Sequence, residues 1–411
     1  MQDALMIQAS SKQSHPIRRH ELDWLRVLAF GILIPFHIGM FYIADWDWHV
    51  KSQYTVDWLA YPMLWSNQWR MPLLFFIGGA ACFFLLKKQG ALSFCLSRYK
   101  RVLVPLIFGM VVIIPPQLYW ELQQDTVIKN MSYWEFWLAY LSLYNPLFSD
   151  YPGVLGTSLN YTHLWFLFYI FFYGVLLSLI SPVLDKLIHT APITRLGGMV
   201  TPSIIIFATP LYFVATSQWL AEAPAWQGSF FFDATRNLHY FSLFLLGYAA
   251  MLAPKLWWLI KQCRKLSLML APCTLMLIWY IYKGGIIINS DVHTIINDYI
   301  WALNAWAWLL LVLGWSQVLL TQPNRTIQYL NGGVYCYYIL HQTIIIVAGA
   351  WLTQFSLGPI IEPFLATFIT LVGCGLGYEA IKRMPFGRTV LGVGTLSQPK
   401  HHKREVRYGL K

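Results

Sequence analysis

The sequence predicts an all-α membrane protein, a polytopic bundle of about ten transmembrane helices with both termini in the cytoplasm. Three observations carry this expectation. Of the 411 residues, 57% are hydrophobic and 11% charged, where soluble proteins carry roughly 25% charged residues. Apolar stretches of membrane-spanning length recur from one end of the chain to the other, leaving no room for a soluble domain of useful size. Lysine and arginine gather in alternate connections between those stretches, as the positive-inside rule requires of cytoplasmic loops.

Taken in order, the spans fall at 22–43, 61–86, 102–122, 161–181, 201–220, 239–253, 267–282, 299–320, 329–353 and 362–381. The first twenty residues hold Lys12, Arg18 and Arg19 without an apolar core, so no cleavable signal peptide is expected and the first span must direct insertion. The second span is entered through WSNQWRMPLLFFIGG and left into 87–101, which carries Lys87, Lys88, Arg98, Lys100 and Arg101. A long outer connection, 123–160, bears Trp134, Trp137, Tyr140, Tyr144 and Tyr151 beside Glu135 and Asp150. Aromatic rings next to carboxylates suit sugars, and an interfacial aromatic belt has the same composition. The fourth span opens on HLWFL, the connections 182–200, 254–266 and 321–328 add further basic residues, and the tail from Lys382 adds eight. In all, 24 of the 29 lysines and arginines fall on one side, which orients the chain and supports the span list independently of hydropathy. The expected organisation is a cytoplasmic segment 1–21, a transmembrane domain 22–381 and a basic cytoplasmic tail 382–411.

This distribution turns the net charge of +11 into an orientation signal and argues against nucleic acid as a partner. The six cysteines are scattered singly and form no CxxC, so neither a disulfide frame nor a metal site is expected. The chain contains no Walker sequence, no GxGxxG and no repeat.

Against the apolar background a few polar residues stand out: His37, Arg70, His163, His341 and Glu379 inside spans, with Asp23 and Arg26 at the edge of the first. An ionisable group in hydrocarbon costs at least ~2.5 kcal/mol, so such residues are functional candidates. A single histidine can equally be a satisfied helix-to-helix contact, but several in different spans form a set. Arg26 and His37 are eleven residues apart, close to a whole number of helical turns, and therefore share a stripe roughly 16 Å long. His37 falls in the outer half of the membrane, and a neutral histidine there suits a general base acting on a hydroxyl. On the cytoplasmic side Arg18, Arg19, Arg26, Arg98 and Arg101 could seat a phosphorylated donor, although positive-inside loops look the same without one. The residues alone leave both a transferase and a transporter open.

The same residues resemble the acyltransferase 3 family of membrane O-acyltransferases. Its first-helix motif, a cation, ten residues and a histidine, is met by Arg26 and His37. FFxxSG appears as FFIGG at Phe75 to Gly79, with Gly78 where the family usually has serine. The basic RxxRxxxP element lies at Arg98, Arg101 and Pro105, HLWFL is intact at His163 to Leu167, and the late YLxH is echoed by YYILH ending at His341. WHVKS at Trp48 to Ser52, Arg70–Met71 ahead of FFIGG, and Tyr378–Glu379 ahead of Met384–Pro385 are similar to the glucans biosynthesis protein C subgroup, with Gln342 in place of a second histidine.

The resemblance implies a multi-pass protein of the bacterial inner membrane that moves an acyl group from cytosolic acyl-CoA to hydroxyls of a periplasmic glucan. Succinyl-CoA is the donor the subgroup implies and acetyl-CoA the other choice; no metal is implied. Arg18, Arg19, Arg98 and Arg101 would hold the nucleotide phosphates, and His37, with Arg26 on its helix, would carry the catalysis. Arg70 would pair with the succinyl carboxylate, the alternative being a structural ion pair with Glu121 or Glu362. His163 and Trp165 would line the acceptor side, and His341 would orient His37 or bind the thioester carbonyl. Glucan-synthesis proteins are possible partners. An O-acetyltransferase of O-antigen or another envelope glycan, and a secondary transporter of a small anion, are the alternatives.

Overall fold

The computed structural model describes residues 18–124, 128–149, 151, 153–221, 230–285 and 291–393. Lys12, Asp150 and the basic residues beyond 393 lie outside them. Helices make up the fold, with no strand among the described residues. The long elements are α1 (His20–Gly39), α2 (Ala60–Gln89) and α3 (Ala91–Gln123), the last interrupted by π turns at Tyr99–Leu103 and Gly109–Ile113. After a short α4 (Tyr133–Leu141) come α5 (Trp165–Leu187), α6 (Ala191–Met199), α7 (Pro202–Trp219), α8 (Ala234–Leu252) and α9 (Pro254–Tyr282). α10 (Asp291–Leu319), α11 (Arg325–Leu352), α12 (Ile361–Arg383) and a short α13 (Pro385–Val390) complete the chain.

Eight of these helices are long and apolar enough to cross a membrane, and nine if α6 and α7, bent by 106°, count as one span. The expected sixth span, α8, is not among them, because Arg236, Asn237 and His239 near its start lower the hydropathy of its nineteen residues. Two expected loops are helical. Residues 254–266 form the first turns of α9 behind Pro254, and 91–98 begin α3. Lysine and arginine break a hydropathy window but are good helix formers. In the long outer connection Ser132 and Glu135 close a reciprocal capping box that starts α4.

The bundle closes where small residues let backbones touch. α2 and α8 cross at Gly79 and Gly247, and a Cβ on Gly79 would lie 1.7 Å from the Phe244 carbonyl oxygen, one on Gly247 1.9 Å from that of Phe76. Close approach of this kind is how helices associate in a medium without a hydrophobic driving force. Gly79→Ala should therefore abolish the monodisperse peak in size-exclusion chromatography. Gly78→Ala, whose Cβ would meet only the end of the Ile170 side chain, at 2.5 Å, should keep that peak. A second packing group joins α11 to α12 and α1, and a third joins α10 to α9 and α7. Arg26 near the start of the described chain and Gly392 near its end line one cavity, so both described ends lie at the same, basic end of the bundle.

Candidate active site

Two cavities lie along α1, one at each end of the Arg26 to His37 stripe. The cavity at the basic end, about 280 Å³, is lined by Arg26, Arg98, Arg101 and Asn331 among apolar neighbours. Arg26 donates to Asn331 Oδ1 at 3.2 Å, and Asn331 donates in turn to Asp23 at 2.8 Å. Arg98 is buried with its Nε unpartnered and its guanidinium 5.3 Å from the Phe94 ring centroid. Arg18 and Arg19 are not brought to this cavity: Arg18 pairs with Asp23 at 2.7 Å, and Arg19 reaches Glu21 at 3.5 Å and packs over Trp257. Nor does Arg26 share a cavity with His37, since the eleven-residue step from one to the other spans roughly 16 Å of helix.

The second cavity, about 440 Å³, is lined by His37, Arg70, His163 and Trp165, with His341 buried immediately behind His37. The loop after α1 covers it with Trp48 and His49. That loop is pinned by Lys51, whose ammonium donates to the carbonyls of Met40 at 2.9 Å and Ile43 at 2.5 Å, capping the orphan acceptors at the end of α1. Burial draws the Lys51 pKa below the usual lysine value.

Hydrogen-bond partners assign the tautomers of the central pair. His341 Nδ1 lies 2.7 Å from the Tyr338 carbonyl, which only accepts, so this nitrogen carries a proton. In the neutral pair, His341 Nε2 then accepts from His37 Nδ1 at 2.9 Å. The lone pair left on His37 is at Nε2, which has no partner among the described residues and belongs to a ring that lines the cavity.

His163 is placed differently. Its Nε2 donates to the Ile339 carbonyl at 3.1 Å and its Nδ1 accepts from Gln117 at 3.3 Å, so both nitrogens are engaged. It is held there by Thr162, which takes an unusual positive φ of 29° and whose N–H is bonded to Asn160 Oδ1 at 2.7 Å. Tyr338 donates to the His163 carbonyl. The ring edge of His163 and the indole of Trp165 therefore form wall rather than free acid or base.

Sequence reasoning missed the network that supports this wall. Glu121 accepts from His49 Nδ1 at 2.5 Å, and His49 Nε2 accepts from Gln342 at 3.2 Å. Gln342 also donates to Gln117 Oε1 at 3.3 Å, and Gln117 to Thr343 at 2.6 Å. The signal for His49 is its place in WHVKS, which lies outside the expected spans, where a polar residue does not stand out. Gln342 serves as the amide bridge in this chain.

Arg70 is 3% exposed and lines the same cavity. Its guanidinium carbon sits 4.0 Å from the Phe36 ring centroid, and Nε and Nη1 are buried without a hydrogen-bond partner. The two carboxylates suggested as structural partners are committed elsewhere, Glu121 to His49 and Glu362 to the Tyr42 hydroxyl at 3.2 Å. Trp48 Nε1 is a second unspent buried donor beside this cavity.

Aromatic rings lining the two cavities are in contact with one another. Phe30 and Phe166 line the basic one, Tyr338 lines the histidine one, and their centroids lie 5.2 to 6.4 Å apart.

A helical bundle with membrane-length apolar helices and a polar, histidine-bearing interior is that of a multi-pass membrane protein. The chain matches the acyltransferase domain of the acyltransferase 3 family over residues 19–379 and belongs to that family; it is an acyltransferase. It is similar to the proteins called glucans biosynthesis protein C of Escherichia coli O81 (strain ED1a), strain SMS-3-5 / SECEC and strain K12. Each is 24% identical over 380 residues, which is 90% of this chain and 92% of the relative. No solved structure matches the chain.

Proposed function

We propose that the protein transfers an acyl group, succinyl by preference, from cytosolic acyl-CoA to a hydroxyl of a glucan on the outer side of the bacterial inner membrane. The observation that carries this reading is the His37–His341 pair, with one unpartnered imidazole nitrogen at a cavity wall. The basic end would face the cytoplasm, following the positive-inside rule, with both termini there. Arg26, Arg98 and Arg101 would hold the nucleotide phosphates of the donor. The acyl-bearing arm would pass the ring layer and present its thioester in the histidine cavity.

There His37 Nε2 takes the proton of the sugar hydroxyl as its oxygen bonds to the thioester carbonyl carbon. The tetrahedral intermediate collapses by breaking the C–S bond, the ester stays on the sugar, and the departing thiolate takes the proton back from His37. His341 Nε2 accepts from His37 Nδ1–H throughout and steadies the imidazolium, while its own Nδ1–H goes on donating to the Tyr338 carbonyl. Trp48 Nε1 and Arg70 are unspent donors available to the developing oxyanion and to a free acyl carboxylate.

His341→Leu removes the acceptor that fixes the His37 tautomer and is expected to lower kcat by about 10- to 100-fold. His341→Gln, whose amide oxygen can take the same hydrogen bond, should recover most of that loss. The direct test of function is mass spectrometry of periplasmic glucans from a deletion strain complemented with the wild type. Loss of a succinyl substituent in the deletion, restored on complementation, supports the reading. Loss of an acetyl group replaces the donor, and an unchanged glycan profile refutes the proposal.

A further inference from the structure

A third cavity, about 510 Å³, lies between α2, α7, α8 and α10 and takes no part in the chemistry above. Its volume is that of an ordinary small-molecule site. Leu243 and Leu309 close its floor, while Asp233, Arg236, His239, Asp298, Tyr240 and Trp301 supply its polar and aromatic wall. It adjoins the histidine cavity. Pro72 lines it where the preceding Arg70 and Met71 line the other. Tyr240 also stands between them, its ring 4.4 Å from Phe75 and 5.6 Å from Trp165 of the histidine cavity.

The wall is mixed in charge. Arg236 pairs with Asp233 at 3.2 Å, His239 Nε2 donates to Thr216 Oγ1 at 3.0 Å, and Asp298 Oδ2 accepts from Gln218 at 3.2 Å. With Arg236 neutralised by its partner, the remaining carboxylate makes the site a poor one for a phosphate or another lone anion. It leaves acceptors for several hydroxyl groups. Trp301, half-buried in the same wall, has no aromatic-ring partner and no hydrogen bond among the described residues, so its indole lines the cavity with an N–H left to donate. An open indole face takes up the C–H face of a sugar ring, while hydroxyls at the ring edge donate to carboxylates and accept from arginine.

We infer that this cavity is a sugar subsite, holding a pyranose unit of the glycan acceptor next to the unit that is acylated. The inference rests on the glycan acceptor proposed above. It adds that the acceptor is gripped by more than one sugar ring, so a free monosaccharide is a poor substrate.

The test is calorimetric titration of the purified full-length protein with a β-linked glucose tetrasaccharide, for wild type, His37→Ala, Trp301→Ala and the nearly isosteric Asp298→Asn. Size-exclusion profiles serve as the folding control. Saturable binding that survives His37→Ala and weakens about fivefold or more in Trp301→Ala and Asp298→Asn supports the subsite. Binding unchanged in both wall variants, no binding to wild type, or a cavity filled by phospholipid and indifferent to sugar overturns it. Because binding is read without turnover, an enzyme that binds the tetrasaccharide through Trp301 but acylates nothing refutes the transfer reading alone. One that acylates glucan with unaltered affinity in the wall variants refutes the subsite alone.

Discussion

Replacing His37 with alanine is expected to lower kcat by about 10²–10⁴-fold while the protein still inserts and purifies as wild type. The size follows from what is removed. His37 Nε2 is the free lone pair of the His37–His341 pair, and His163 and His49, the other imidazoles lining this cavity, have both nitrogens occupied. No neighbouring histidine can therefore take over the proton. His37→Gln is the sharper variant. Its amide N–H can still donate to His341 Nε2, so the interior hydrogen bond survives while the base does not. A single-turnover assay with acyl-CoA and glucan separates the two contributions. Near-wild-type rates in either variant would show that the base is another group.

Arg70→Gln is expected to cost succinyl transfer about 10- to 100-fold and to leave acetyl transfer within about threefold. A guanidinium 3% exposed, with two buried N–H groups unspent, is held in place by Phe36 at 4.0 Å and by no protein carboxylate among the described residues. An incoming succinyl carboxylate would make a charge-assisted bond where none exists before, whereas an acetyl group brings nothing to pair. Comparison of kcat/KM for the two donors in wild type and variant decides it. Equal losses for both, or no loss for either, would remove Arg70 from donor choice.

Helices were legible because hydropathy is a local property, and they were misjudged where charge interrupts an apolar window without interrupting a helix. Lys255, Lys261, Arg264 and Lys265 hid the first turns of α9, and Arg236, Asn237 and His239 weaken α8 as a span for the same reason that they enrich a cavity. His37 and His341 were legible one at a time, as ionisable groups in hydrocarbon. Their pairing across 304 residues is not legible in the sequence, because periodicity along one helix says nothing of the helix beside it. The basic cluster illustrates the opposite failure. Arg18 and Arg98 look alike by charge, but the sequence already placed Asp23 within reach of Arg18, and that local pair removes it from the cavity. His49 lies outside the expected spans, where a polar residue is ordinary, and Glu121, expected as a possible partner of Arg70, pairs with His49 instead.

The ring layer of Phe30, Phe166 and Tyr338 has an electrical consequence. If solvent enters the two cavities from opposite faces, as the proposed orientation requires, bulk dielectric reaches far into the protein, and a transmembrane voltage then falls mainly across the insulating stretch that remains. Near the rings the field is steeper than in the surrounding bilayer, and each elementary charge carried through the full drop is worth about 2.3 kcal/mol per 100 mV. On the succinyl transfer proposed above, the anionic acyl group would cross that drop. On that reading the energised state of the membrane, and not only the concentration of donor, would set how readily the acyl group arrives beside His37.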